Sequence, residues 1–354
     1  MRKRRCYVSK CYPNTLKGGF KAKTDMELIM KKNNFHNLGL AQKFNNNKIY
    51  AFLYNLISIC KAIIYVKKDD ILVIQYPLKK YYYILSYMAQ LKDAKVIALI
   101  HDLGCFRRKK LTIEQEQKRL KYTDHLIVLS DNMKTFVIKK KYKQSISVLH
   151  LWDYLNNSTP QLSKLPQPNN ITILYVGTLK ETEHSFMYKW DNTTLNSSLY
   201  FDIYGSNFNS KMIKHKKQFK YHGLKDSSLI IQDTKAHYGL LWYGADTECI
   251  SGIFGEYIKY NTAHKISLYI QAHIPLIIWN KASFANFTKK YNIGICVDSL
   301  DNLEQELQKI SQQEYDQMVE NTKSLSEKTK QGYYFMTAYK EGENLLLSNS
   351  KKTN

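Results

Sequence analysis

The sequence contains no DxD triplet, no GxxxxGK followed by Ser or Thr, no HExxH and no GxSxG. The first absence removes the familiar carboxylate pair that holds a metal against a diphosphate, so no metal site is expected. The others argue against a phosphate-loop ATPase, a zinc protease and a serine hydrolase. Cysteine is sparse: the six, at positions 6, 11, 60, 105, 249 and 296, form no CxxC pair. They read as isolated reduced thiols of a cytoplasmic protein, not as a zinc site or a disulfide framework. Long apolar runs are missing too. The basic start MRKRRCYVSKCYP lacks the apolar stretch of a signal peptide. The nearest approach to a membrane span, FLYNLISICKAIIYV at 52–66, is short and interrupted by Asn55 and Lys61. A core-facing helix is the expectation there.

Acidic residues are scarce relative to basic ones. Against 30 Asp and Glu stand 53 Lys and Arg, a formal charge of +23 in 354 residues. Such a surface favours a polyanion: nucleic acid, an anionic membrane face or phosphorylated substrates. It does not choose among them, and the abundance of Asn, Lys, Ile and Tyr makes part of the charge compositional. The length predicts about two domains, each able to bury its own core, and 44% hydrophobic with 13% aromatic residues fits a folded chain.

Along the chain, short apolar runs alternate with helical periodicity. Residues 5–9 open as a strand, and the Gly18-Gly19 pair follows, a turn where backbone can approach a ligand although the full GxGxxG is absent. Thr24 or Asp25 is the expected cap of the next helix. DILVIQYP, KVIALIHDLG, DHLIVLS and SISVLHL continue the strands of a first domain over 1–151. WDYLNNSTPQLSKLPQPNN at 152–170 has three of the six prolines and no periodicity, so it reads as a linker. ITILYVGTL, LYFDIYGS, FKYHGL, HYGLLWYG, IPLIIW and IGICVD alternate again in a second domain over 171–315, and a charged helix is predicted over 316–347. Two α/β domains with doubly wound parallel sheets are the expectation. Ligands of such sheets bind outside the carboxyl ends of the strands, which points to a cleft between the domains.

The most informative stretch is FGEYIKYNTAHKISLYIQAHIPLIIWN at 254–280. Apolar positions at Ile266, Tyr269 and Ile270 follow helix spacing, so a helix is predicted to start near Asn261 or Thr262, either of which can cap it. Lys265 then falls close to the helix N-terminus, where a cation is unfavourable on its own and where an anion between it and the free N–H groups makes sense of it. Gly177-Thr178 and Gly205-Ser206 end strands with small residues that permit close approach to a ligand. In the first domain, His101 and Asp102 emerge at a strand end, where either can take a proton from an acceptor hydroxyl. Arg107, Arg108, Lys109 and Lys110 follow, a run able to grip a phosphorylated or lipid-linked acceptor.

The segments GGFKAKTD, HDLGCFRR, DHLIVLSDNMK, ILYVGTL, GEYIKYNTAHKISLYIQAHIPLIIWNKASFANFTKKYNIGICVDSL and GYYFMTAYKEGENLL resemble those of bacterial GT-B sugar transferases. The likeness is to the galactofuranosyltransferases and to the glucosyltransferases of streptococcal adhesin glycosylation. It runs over roughly 5–347 and is most specific at 252–300. The resemblance implies two Rossmann-like domains and a hexosyl transfer from a UDP-sugar, with no further cofactor, to a hydroxyl of a surface-polysaccharide or protein-linked glycan. It implies that Lys265 and Asn261–Thr262 meet the diphosphate, that the Gly177 and Gly205 loops lie near the base, and that the first domain holds a glycan or lipid-linked acceptor. It also implies a last helix that crosses back to the first domain. Gly19 joins this donor set, Arg107 and Arg108 the acceptor side, and Asp102 or His101 is the base of an inverting reaction. Two departures stand out: Ala263 replaces a proline before the His-Lys pair, and His273 replaces a glycine before the IP strand.

Peripheral contact with an anionic membrane and homo-oligomerisation are both compatible with this reading. The competing readings are a nucleic-acid-binding module and a catalytically idle subunit that keeps the transferase fold. Basic residues are spread rather than striped along one element, so nucleic acid is not expected as a partner. Fold alone does not exclude the idle subunit.

Overall fold

The computed structural model describes residues 3–13, 19–78, 81–106, 111–161, 165–166, 170–193 and 197–351. The described residues divide into two compact units: those up to Asp153 and from Gly332 onward form the first, and Tyr154–Gln331 the second.

In the first unit the strands are Arg5–Tyr7 (β1), Cys11–Tyr12 (β2), His36–Asn37 (β3), Lys43–Phe44 (β4), Ile71–Tyr76 (β5), Lys95–Ile100 (β6), His125–Val128 (β7) and Ser145–Val148 (β8). Six of them form one sheet in the order β3-β1-β5-β6-β7-β8, and β2 pairs with β4 apart from it. Every pairing is parallel. Helices on both faces explain why β5 is buried at every position rather than at alternate ones. The order reverses between β1 and β5.

The second unit repeats the architecture. Its strands Ile171–Thr178 (β9), Leu199–Ser206 (β10), Phe219–Tyr221 (β11), Tyr238–Leu241 (β12), Leu276–Trp279 (β13) and Gly294–Val297 (β14) form a parallel sheet in the order β11-β10-β9-β12-β13-β14. Counted within the unit this is 3-2-1-4-5-6, the order of dinucleotide-binding sheets, whose switch point lies between the first and fourth strands. Here those are β9 and β12.

Several local expectations change. The helix after Gly19 starts at Lys21 with Phe20 as its cap, and neither Thr24 nor Asp25 caps it. Asp25 is instead buried and paired with Lys21 one turn earlier, at 3.0 Å. The charged tail is not one helix over 316–347. It is Gln312–Lys330 and Tyr333–Lys351, broken at Gly332, whose φ of 77° ends the first helix. The second begins where the Asp153 carboxylate accepts the N–H groups of Tyr334 and Phe335 at 3.1 and 2.7 Å, a side-chain cap that brings the chain back into the first unit. The stretch expected to face the core, helix Lys48–Tyr65, buries only Ser58, Ile59 and Ala62.

His273 takes a left-handed backbone, φ 58°, at the position where the resemblance calls for glycine. Burial pushes its imidazole down to about 4, and neither ring nitrogen has a hydrogen-bond partner among the described residues. Relief of the Cβ clash outweighs the entropy cost of glycine, so His273→Gly is expected to stabilise the protein by about 0.5–1 kcal/mol. A urea titration in which this variant is no more stable than the parent refutes the strain argument.

Candidate active site

The second unit's site begins with two strand ends held in register. Gly177 of β9 lies opposite Gly205 of β10, and Thr178 opposite Ser206. The backbones approach so closely that a Cβ on Gly205 stands 1.7 Å from the Gly177 carbonyl oxygen, and φ at Gly205 is 141°. Gly205→Ala is therefore expected to destabilise by on the order of 2–3 kcal/mol through a contact that only backbone movement relieves. An unchanged melting temperature contradicts this.

Beside these ends starts helix His264–Gln271. Its cap is Ala263, which offers no side-chain hydrogen bond, and no acidic residue stands in its first turn. The expected start at Asn261 or Thr262 is thus corrected by two or three residues. Both precede the helix in the approach loop, Thr262 buried and Asn261 Oδ1 buried with no hydrogen-bond partner among the described residues.

Lys265 is the helix's second residue, and its amine points inward. Nζ lies 4.4 Å from the ring centroid of Tyr175 and 4.6 Å from that of Tyr243, and 3.5 Å from where a Cβ on Gly177 would stand. The residue as a whole keeps some solvent contact, yet Nζ is buried and has no hydrogen-bond partner among the described residues. Desolvation accordingly pushes its amine down to about 7. Ser206 Oγ is buried in the same way.

Two tyrosines hold this arrangement. The Tyr269 hydroxyl, one turn after Lys265, accepts from the Val176 N–H and donates to the Leu240 carbonyl, both at 3.1 Å. It thereby joins the helix to β9 and β12 at the switch point, and its ring lies against Gly239, where a Cβ would come within 2.4 Å of it. The Tyr175 hydroxyl donates to the Trp242 carbonyl at 2.5 Å and meets His184 Nδ1 at 2.8 Å, which fixes the ring facing Lys265. A cation between two aromatic faces at the N-terminus of a helix is chemically a receptor for a phosphate or diphosphate.

In the first unit, His101 and Asp102 follow β6. The His101 ring stacks on Trp152 at 4.6 Å, and its Nε2 lies 2.7 Å from Gln75 Oε1. Gln75 donates its amide to the Lys23 carbonyl at 3.0 Å, so its oxygen accepts from His101 and the neutral ring carries its proton on Nε2, leaving Nδ1 as the basic nitrogen. Asp102 is partly buried beside it. Gly19 belongs to this unit, not to the one carrying Gly177, Gly205 and Lys265, and a side chain there would meet no atom within 4 Å. Arg107 and Arg108, with Lys109 and Lys110, lie outside the described residues. Among the described residues no three His, Cys, Asp or Glu side chains converge to hold a metal.

Sequence reasoning missed Tyr175 and Tyr243, and it read Tyr269 only as an apolar helix position and Ser206 only as a small residue beside Gly205. Tyr175 was the most accessible, since it precedes Gly177 by two residues and so shares its face of the strand.

Family models of glucosyltransferase 3-like proteins match both halves of the chain, the N-terminal domain over residues 5–151 and the C-terminal domain over 173–342. The chain belongs to the glucosyltransferase 3-like family. This glycosyltransferase is similar to the beta-1,6-galactofuranosyltransferase WbbI of Escherichia coli, 29% identical over 78% of the chain and 80% of the relative. It is also similar to glucosyltransferase 3 of Streptococcus gordonii, 25% identical over 70% and 71% of the two chains. Among solved structures, that of Anabaena HepE in complex with UDP superimposes with a TM-score of 0.58 at 9% identity, covering 97% of this chain and 99% of HepE. A glycosyltransferase of Rickettsia africae gives 0.57 at 13% identity, covering 98% and 99%. These likenesses establish the GT-B fold.

Proposed function

We propose that this glycosyltransferase moves a hexose, glucose or galactose in pyranose or furanose form, from a UDP-sugar to a hydroxyl of a surface-polysaccharide or protein-linked glycan in the cytoplasm. The observation that carries the donor assignment is Lys265, a buried amine without a hydrogen-bond partner at a helix start, beside the switch point of a sheet in dinucleotide-binding order. Its cation and the adjacent N–H groups would take the charge that develops on the departing diphosphate, an electrostatic stabilisation independent of a resident metal. Relatives that transfer galactofuranose and glucose, and UDP in HepE, support a uridine nucleotide and a hexose. Asn261, Thr262, Gly177, Thr178 and Gly205 would line the donor. Asp102 or His101, at the corresponding edge of the first unit's sheet, is the proposed base for the acceptor hydroxyl.

A calorimetric or thermal-shift titration with UDP, GDP, CMP and ADP, with and without EDTA, tests the donor site, because a ligand of the native state raises apparent stability. Saturable stabilisation by UDP that survives EDTA is the expected result. No response to any nucleotide overturns the donor assignment, and loss of the response in EDTA overturns its metal independence. Sugar transfer by the purified chain separates the enzyme from an idle subunit.

A further inference from the structure

The first unit exposes an apolar face that its own core does not use. Along helix Lys48–Tyr65, Ile49, Leu53, Ile57 and Ile64 recur at the spacing of one helix side, and all are exposed, Ile49 to 73% and Ile64 to 71%. Helix Tyr81–Leu91 presents Ile84 and Leu91 likewise, the latter 59% exposed. The two helices lie alongside each other. Phe52 meets Tyr81 at 6.4 Å between ring centroids near one end, and Lys92 donates to the carbonyls of Ile63 and Ile64 at 2.6 and 3.1 Å near the other. A contiguous face of this kind on a folded protein marks something that covers it.

Its charge says what. From Lys43 to Lys68 the sequence holds five lysines and no Asp or Glu, and Tyr81–Leu91 is uncharged. The lysines interleave with aromatic rings: Lys43 over Tyr50 at 5.7 Å, Lys61 over Tyr65 at 5.8 Å, and Lys121 over Tyr122 at 5.2 Å. Tyr122 in turn touches Tyr83 and Tyr87. Apolar side chains, interface-seeking tyrosines and Lys43, Lys48 and Lys61, none of them next to an acidic residue in the sequence, are the composition of a segment that lies in the headgroup region of an anionic bilayer. We propose that this face docks on an anionic lipid bilayer, with helix Lys48–Tyr65 in the plane of the membrane.

Two other occupants fit less well. The helix is long and apolar enough to cross a membrane, but its inner side is hydrogen-bonded to the domain. Asn55 Oδ1 accepts the Cys11 N–H at 2.9 Å, and Ser58 Oγ accepts the Leu40 N–H at 3.0 Å while donating to the Ser9 carbonyl at 2.8 Å. Crossing would strand those groups in hydrocarbon. A second copy would bring the same lysines against themselves, since a two-fold contact pairs a patch with itself.

The proposal is independent of the donor assignment and is read separately from it. The full chain is sedimented with vesicles of phosphatidylcholine alone and of phosphatidylcholine with phosphatidylglycerol. Binding to the second is expected, and the double variant Ile57→Glu, Ile64→Glu is expected to bind about tenfold more weakly with its UDP response unchanged. Equal binding of parent and double variant overturns the proposal, since charge alone then suffices. So does an absence of vesicle binding, including the case of an oligomer that the variant dissolves. A bimane on exposed Cys60, in a chain carrying Cys249→Ser, keeps the parent helix sequence otherwise intact. Its emission is expected to shift to the blue on the anionic vesicles, and an unshifted emission overturns the proposal.

Discussion

Replacing Lys265 with methionine is expected to make the nucleotide-free protein more stable and at the same time nearly inactive. The amine is buried between Tyr175 and Tyr243 with no hydrogen-bond partner among the described residues. Without a bound anion it therefore costs desolvation that two ring faces only partly offset. Methionine keeps the length and fills the same space without that cost. What is lost is the charge proposed to meet the diphosphate. By analogy with removal of a single transition-state donor, kcat should fall roughly 10²–10³-fold, and UDP should no longer raise the melting temperature.

The pH dependence separates this from a general packing effect. Desolvation lowers the Lys265 amine from its ordinary 10.5 to about 7 in the folded state, so between these values the unfolded chain binds more protons, and the contribution of this group to stability rises with pH. The stability advantage of the methionine variant should thus be largest below pH 7 and shrink toward pH 10. A bound diphosphate favours the ammonium form, so UDP binding near pH 8 should take up protons, visible as a binding enthalpy that depends on the ionisation heat of the buffer. That dependence should vanish in the variant. Near-normal turnover by Lys265→Met would sink the phosphate assignment.

The second large effect is expected at the first unit's edge. If Asp102 is the base, Asp102→Asn should lower kcat roughly 10²–10⁴-fold and remove the acidic limb of the kcat/KM profile, with UDP binding preserved. His101→Asn is the companion variant, because Gln75 holds the ring with Nε2 protonated and Nδ1 basic. Whichever substitution abolishes the acidic limb identifies the base. A loss of less than tenfold in both variants would remove the base from the mechanism and turn attention to a retaining reaction.

The substitutions separate what could be read early from what could not. Lys265 was visible as a cation misplaced at a predicted helix start, and Gly177 and Gly205 as small residues closing apolar runs. The two departures from the family pattern were visible as well, but their meaning was not: that His273 bears a left-handed backbone and Ala263 stands as an uncapping residue emerges only from the dihedral angles and bonds. Helix starts were misjudged at Thr24 and near Asn261 for one reason. Polar residues that can cap are common, whereas the residue that does cap is chosen by where the preceding loop leaves the backbone.

By itself the sequence determined the two parallel α/β sheets, because strands buried on both faces must be apolar throughout and the helices between them must carry the 3.6-residue stripe. It also determined which residue types stand at the strand ends. Only the tertiary structure decided that the Lys265 amine turns inward between two tyrosines, one from β9 and one from the segment just after β12, and that Tyr269 spans the switch point between those strands. It alone decided that helix Lys48–Tyr65 keeps most of its apolar side chains exposed. Hydropathy records how a segment would prefer to be covered; whether the rest of the chain covers it depends on packing between residues far apart in sequence.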